Sequence, residues 1–228
     1  MLRAIIFDFN GVIADDETPH VQCFCQALKE FGLRLTKEEY YGTYLGMDER
    51  TCTAQLLMAR DGHRDEQVVR QIQARKAELF RQQTAGHKPA LFPGVVGCVK
   101  AAKLRYRLAI ASGGRREQID RALCETPIQH DFEVIVSAED CSIGKPDPSI
   151  YRLTLARLNG VGPNLALVQP EECLVIEDSL AGIRSAKAAG MHVLGLATTY
   201  PADCLQEADL VLPSLAGVCS EDLLARRS

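Results

Sequence analysis

The sequence predicts a doubly wound α/β fold: a parallel, Rossmann-like sheet with helices on both faces and an all-helical segment inserted after the first strand. Short aliphatic runs recur along the chain with helical patterns between them, the rhythm of strand–helix–strand units. The runs are apolar almost throughout, as strands buried on both faces must be. The interval 15–88 breaks the rhythm, because it carries helical patterns and turn signals but no comparable aliphatic run. A length of 228 residues suits one core with a sizeable insertion.

The elements follow in order. Residues 2–9 read as a buried strand, ending in Asp8-Phe9-Asn10-Gly11. Thr18-Pro19 reads as a helix start, a cap followed by a proline in the first turn, and Gly32 as its stop. Further helices fit 37–44, 49–60 and 65–83, with Asp61-Gly62 as a break. The stretch after Gly11 and the return at Pro89–Gly94 form two hinges, with Asp15 and Asp16 read as solvated hinge residues. Beyond them helices fit 94–105, 115–125, 148–159 and 180–190, the last closing at Gly190. Strands fit 107–112, 133–137, 173–177, 192–197 and 209–212. The expected division is an α/β core of 1–14 and 89–228 with a helical cap of 15–88.

Composition excludes several classes. With 46% hydrophobic and 25% charged residues the chain should bury a real core. A net charge of -4 offers no general attraction for polyanions, so neither nucleic acid nor an anionic membrane is an expected partner. No apolar run approaches the roughly 18 residues of a spanning helix, and Met1–Phe9 reads as a strand, not as a signal peptide. The nine cysteines form no CxxC pair and are odd in number, which suits free thiols in a reducing cytoplasm. A monomer is expected.

Ligands of open parallel sheets bind beyond the carboxyl ends of the strands. There the sequence places Asp8 with Asn10, Ser112, Gly144-Lys145-Pro146 after the strand ending at Ser137, and Glu177-Asp178. Carboxylates without nearby His or Cys suit a hard, oxygen-seeking cation such as Mg²⁺. Ser and Lys are donors for a phosphoryl group. A cation and a lysine beside Asp8 would let a carboxylate attack a phosphoryl dianion that would otherwise repel it. A Ser-His-Asp hydrolase lacks its G-x-S-x-G elbow, and dinucleotide binding lacks a glycine-rich first turn.

Together these residues resemble the haloacid dehalogenase superfamily of phosphotransferases. Phe7-Asp8-Phe9-Asn10-Gly11-Val12, Ala111-Ser112-Gly113, Gly144-Lys145-Pro146-Asp147-Pro148 and Ile176-Glu177-Asp178-Ser179 look like its four motifs, in order and at strand ends. The helical insertion resembles the cap of the subgroup that includes β-phosphoglucomutase and small phosphatases. The resemblance implies Asp8 as nucleophile and Ser112 as phosphoryl donor beside the N–H groups of Gly113 and Gly114. It implies Lys145 as the paired charge, Asp178 as direct metal ligand, and Glu177 as a ligand through water or a residue that steadies the site. Asp147 reads as a turn residue.

Asn10 departs from the pattern. The family places there a second Asp, which protonates the leaving group and later activates water. Strand periodicity puts residues 8 and 10 on one face. An amide cannot exchange that proton, although its backbone carbonyl can still bind metal. His20, early in the first cap helix, is the nearest titratable replacement. Arg50, Arg75 and Lys76 are candidates to pair with a distal anionic group of the substrate. The expected activity is Mg²⁺-dependent hydrolysis of a small phosphorylated metabolite. The alternatives are a phosphosugar mutase of the β-phosphoglucomutase type or a low-turnover phosphate-binding regulatory protein.

Overall fold

The structure, a computed structural model, describes residues 1–86, 88–162 and 166–218. Strands β1 (Ala4–Phe7), β4 (Arg107–Ala111), β5 (Val134–Val136), β6 (Cys173–Glu177), β7 (His192–Leu196) and β8 (Leu210–Leu212) form one parallel sheet in the order β5-β4-β1-β6-β7-β8. Central β1 sets its Phe7 opposite Ile110 on one side and Ile176 on the other. Its side chains alternate between the two faces. Ile5 and Phe7 join Val95, Val99 and Ile119 of α5 (Val95–Lys103) and α6 (Arg116–Leu123). Ala4 and Ile6 join Tyr151, Leu155 and Ile183 of α7 (Ser149–Asn159) and α8 (Leu180–Ala188). Both faces of β1 are therefore dry, which is why its sequence is apolar without alternation.

The chain leaves β1 toward β4 and β5, then returns to the other side of β1 through β6. That reversal opens a crevice at the carboxyl ends of β1, β4 and β6. β1 ends at Phe7, two residues before the expected end, because the chain folds back: the N–H groups of Ile13 and Ala14 both donate to Phe9 O.

Helices α1 (Glu17–Glu30), α3 (Glu49–Asp61) and α4 (Glu66–Gln83) share a core around Phe24, Leu28, Leu57, Ile72 and Phe80. Asp48 and Asp65 cap α3 and α4, and α3 stops at Gly62. The expected helix over 37–44 is a short α2 (Lys37–Glu39), held by a Thr36–Glu39 capping box, running into a wider π turn over Tyr40–Tyr44. The hinges carry an antiparallel pair that the sequence does not reveal, β2 (Ala14–Asp15) with β3 (Ala90–Leu91). Two residues per strand are too few to show a period.

Asp15 is exposed as expected, but Asp16 is not solvated: it is buried, and its carboxylate is turned inward. No described helix is long and apolar enough to cross a membrane.

Candidate active site

Lys145 organises the crevice. Its buried ammonium donates to Asp8 Oδ1 at 2.7 Å and to Glu177 Oε1 at 2.6 Å, linking the ends of β1 and β6. Glu177 is fully buried and accepts from Lys145, the Tyr151 hydroxyl, the Ser179 hydroxyl and the backbone N–H groups of Asp178 and Ser179. Those donors occupy its lone pairs, so Glu177 steadies Lys145 and the β6–α8 turn. Asp178 accepts from the Thr199 hydroxyl. Ser179, not Asp178, caps α8, accepting from Gly182 N–H at 3.0 Å.

Carboxylate oxygens of Asp8, Glu177 and Asp178 lie within 4.8 Å of one another, with a single ammonium among them. Burial, with Glu177 nearby, pushes Asp8 up to about 7 against the pull of Lys145. Burial, Glu177 and Asp8 push Asp178 well above the usual carboxylate range. Burial opposes the charge of Lys145, but Asp8 and Glu177 outweigh it and hold the lysine well above its ordinary value.

This donor set fits a hard divalent cation such as Mg²⁺: once ionised, Asp8 and Asp178 carry more negative charge than Lys145 offsets, and among the described residues the Asn10 carbonyl accepts no backbone hydrogen bond. Folded Asp8 holds its proton to about 7, against 3.8 ordinarily, so stability without a cation falls as pH rises through that interval. Mg²⁺ should then raise the unfolding temperature more at about pH 8 than at about pH 5. A gain that is equal at both, or larger in acid, would refute the assignment.

Gly11 makes room for the group. It sits at φ +78°, and an added Cβ would lie 1.9 Å from Asp178 Oδ2. Gly11→Ala should cost about 1–3 kcal/mol in thermal unfolding and displace Asp178, abolishing the Mg²⁺-dependent gain. An unchanged response to Mg²⁺ would show that the close approach is not needed.

On the opposite wall, Ser112 follows β4 directly, is almost fully buried and accepts from Gly114 N–H at 2.9 Å. Its hydroxyl is 3.5 Å from Asn10 Oδ1, and Gly113 and Gly114 line the same cleft. Asn10 Nδ2 donates to Asp16 Oδ1 at 2.6 Å and lies 3.4 Å from His20 Nε2. His20 Nε2 is 3.3 Å from Asp16 Oδ2, while Nδ1 meets Lys76 Nζ at 2.6 Å. A charged lysine makes Nδ1 an acceptor, so Nε2 carries the proton and faces Asp16. Lys76 is 1% exposed and also pairs with Glu49. Asn10, His20 and Lys76, singled out separately in the sequence, thus meet in one hydrogen-bonded chain.

Arg50 does not reach the cleft: it donates to Ser142 O at 2.9 Å and pairs with Glu66. Its long side chain is spent bracing the start of α3 against a core loop. Arg75 lies on the outer face of α4, paired with Glu30 and Glu78. In both cases a nearby surface carboxylate holds the arginine away from the cleft. Asp147 is a turn residue as expected, accepting from Ser149 N–H at 2.9 Å.

Sequence reading missed Asp16, Glu17, Tyr40, Tyr151 and Thr199. The Asp16–His20 spacing of four was a usable signal, since it places both on one helix face. Nothing in the spacing of Glu17 and Tyr40 announces that the tyrosine hydroxyl donates to Glu17 Oε1 at 2.7 Å.

Comparison with known proteins gives the chain its family. A profile of haloacid dehalogenase-like hydrolases matches residues 5–196. Protein CbbY of Rhodobacter capsulatus is 32% identical over 233 residues, covering 96% of each chain. A phosphorylated carbohydrates phosphatase of Thermotoga maritima is 31% identical over 194 residues, covering 84% of this chain and 83% of that one. The crystal structure of an aspartate-to-asparagine mutant of CbbY from Rhodobacter sphaeroides, in complex with xylulose-(1,5)bisphosphate, superposes with a TM-score of 0.76 at 29% identity over 95% of this chain and 96% of that one. With its four motifs gathered at one end of the sheet and a family match across most of its length, the chain belongs to the haloacid dehalogenase-like hydrolases.

Proposed function

We propose that the chain is a Mg²⁺-dependent phosphatase of a small phosphorylated metabolite that works through an aspartyl phosphate on Asp8. The observation that carries this is the Asp8–Lys145–Glu177 array at the strand ends, a carboxylate beside a buried, fixed positive charge. The phosphatase relative from Thermotoga maritima and the bisphosphate bound by the CbbY mutant support a sugar-like phosphate as substrate.

A carboxylate oxygen of Asp8 attacks phosphorus as the bond to the leaving oxygen breaks, and the leaving oxygen takes the electron pair. Water then attacks the phosphorus of the acyl phosphate, the P–O bond to Asp8 breaks with its electron pair returning to the carboxylate, and the proton lost by the water passes to solvent. Lys145 offsets the repulsion between Asp8 and the phosphoryl dianion, and Ser112 donates to a phosphoryl oxygen. When bound to Asp8, Asp178 and the Asn10 carbonyl, Mg²⁺ would supply further positive charge to the phosphoryl oxygens. Asn10 supplies no proton to the leaving group. The helices within 15–88 act as the cap over the core of 1–14 and 89–228. Gly46 comes so close to the core that a Cβ would meet Ser179 Oγ at 2.2 Å, and the Tyr200 hydroxyl donates to Tyr41 O.

A panel of phosphorylated metabolites with Mg²⁺, repeated with EDTA and with Asp8→Asn as the blank, tests this reading. Phosphate release that ignores both controls would refute it. Asn10 favours a second reading, a phosphate-binding protein of low turnover, for which the panel would show binding with almost no release.

A further inference from the structure

The end of the cleft away from Lys145 is built from cap residues, and its charge is opposite to what a second phosphate needs. Glu17 lines it, with Oε1 taken by the Tyr40 hydroxyl and Oε2 meeting no donor among the described residues. Glu49 lines it too, with Oε1 paired to Lys76 and its other oxygen likewise without a described donor. Lys76 is the cation of this wall, and it is committed. Its ammonium is shared between Glu49 and His20, lies 4.8 Å from the centre of the Phe80 ring, and is shut off from solvent. Asp16 adds a further carboxylate behind His20. Burial holds Glu17 above its ordinary range, the sign of a carboxylate lacking a full counter-charge.

We propose that this wall selects a phosphomonoester whose far end carries hydrogen-bond donors, an amine before hydroxyls, and rejects a second phosphate. An ammonium placed against Glu17 Oε2 and Glu49 would satisfy both carboxylates with charge-assisted hydrogen bonds. Hydroxyls would satisfy them without the charge. A second phosphate would meet two acceptors and find no free cation on this wall among the described residues, and like charges in contact across a desolvated wall discriminate strongly. The substrate class is therefore an amino sugar or amino polyol phosphate. This rests on the phosphatase reading for the phosphoryl end alone.

The test is competition against p-nitrophenyl phosphate, which reports the phosphoryl chemistry without a distal polar group. Glucosamine 6-phosphate, glucose 6-phosphate and glucose 1,6-bisphosphate are titrated as inhibitors of its Mg²⁺-dependent hydrolysis, and their affinities are measured directly by calorimetry. Affinity should fall in that order, by about tenfold or more between the amino ester and the bisphosphate. Glu17→Gln should shrink the gap between the amino and neutral esters. If the bisphosphate binds as well as the amino ester or better, the proposal is overturned. If p-nitrophenyl phosphate is not hydrolysed but calorimetry keeps the order, the phosphatase reading fails and the selection stands. Should Glu17→Gln not fold, the wild-type order alone decides.

Discussion

Asp8→Asn should lower phosphatase turnover by about 10⁴ to 10⁶, the scale on which loss of a nucleophile is felt, while leaving the protein folded and more stable. The two effects share a cause. Asp8 is a buried carboxylate crowded by Glu177 and Asp178, and burial with Glu177 nearby pushes it up to about 7, so its charge is poorly tolerated without a cation. The amide keeps an oxygen that can accept from Lys145, which retains Glu177 as its other partner. What disappears is the negative charge needed both to attack phosphorus and to hold a divalent cation. Without Mg²⁺ near neutral pH, the variant should therefore melt at a higher temperature than wild type, the trade between stability and activity expected where like charges are held together for chemistry. Phosphate release at more than about a hundredth of the wild-type rate would remove Asp8 from the role of nucleophile. A variant that melts lower than wild type would show that the crowding is already relieved in the apoprotein.

Asp8, Ser112, Lys145 and Asp178 were legible in the sequence because they follow apolar strands of a parallel sheet, where topology leaves polar side chains only one place to meet. The sheet itself was legible for a related reason: strands buried on both faces must be apolar, and their neighbours in sequence must be helices. The remainder depends on which way a side chain turns, which no period encodes. Asp16 has the composition of a solvated hinge residue. It is buried because Asn10 Nδ2 and the proton on His20 Nε2 both point at it, and it makes no cap bond to α1 for the same reason. Glu177 resembled a metal ligand, and only its full set of donors, one of them Tyr151 from a helix on the sheet face, shows it committed to Lys145. Arg50 and Lys76 looked alike as cap cations. Lys76 alone is in the cleft, because it lies on the face of α4 that meets α1, whereas Arg50 opens α3 toward a core loop.

Asn10→Asp should raise turnover on alkyl phosphates by about 10² to 10⁴, the usual worth of a positioned acid–base group, and the reason lies in Asn10's neighbours. In wild type no side chain among the described residues is set to protonate the departing oxygen. The Asn10 amide is far too weak an acid to transfer a proton, and both nitrogens of His20 are engaged, Nδ1 with Lys76 and Nε2 with Asp16. Rates should therefore depend steeply on the acidity of the leaving group, with p-nitrophenyl phosphate and acyl phosphates cleaved far faster than sugar phosphates. Breakdown of the aspartyl phosphate should lag too, giving a burst of product before slow turnover. In Asn10→Asp a second carboxyl replaces the amide now 2.6 Å from Asp16 Oδ1, and two carboxylates so close cannot both stay ionised. The pair should keep one proton near neutral pH, which is the proton the leaving oxygen needs. The dependence on leaving-group acidity should flatten, and the burst should fade. Adding Asp16→Asn should weaken the gain at neutral pH by letting the new carboxyl ionise at its ordinary value. His20→Ala in the wild-type background should leave the steep dependence in place. If wild type already shows a flat dependence that His20→Ala does not alter, a proton source other than these residues serves the leaving group, and the amide at position 10 is not what limits turnover.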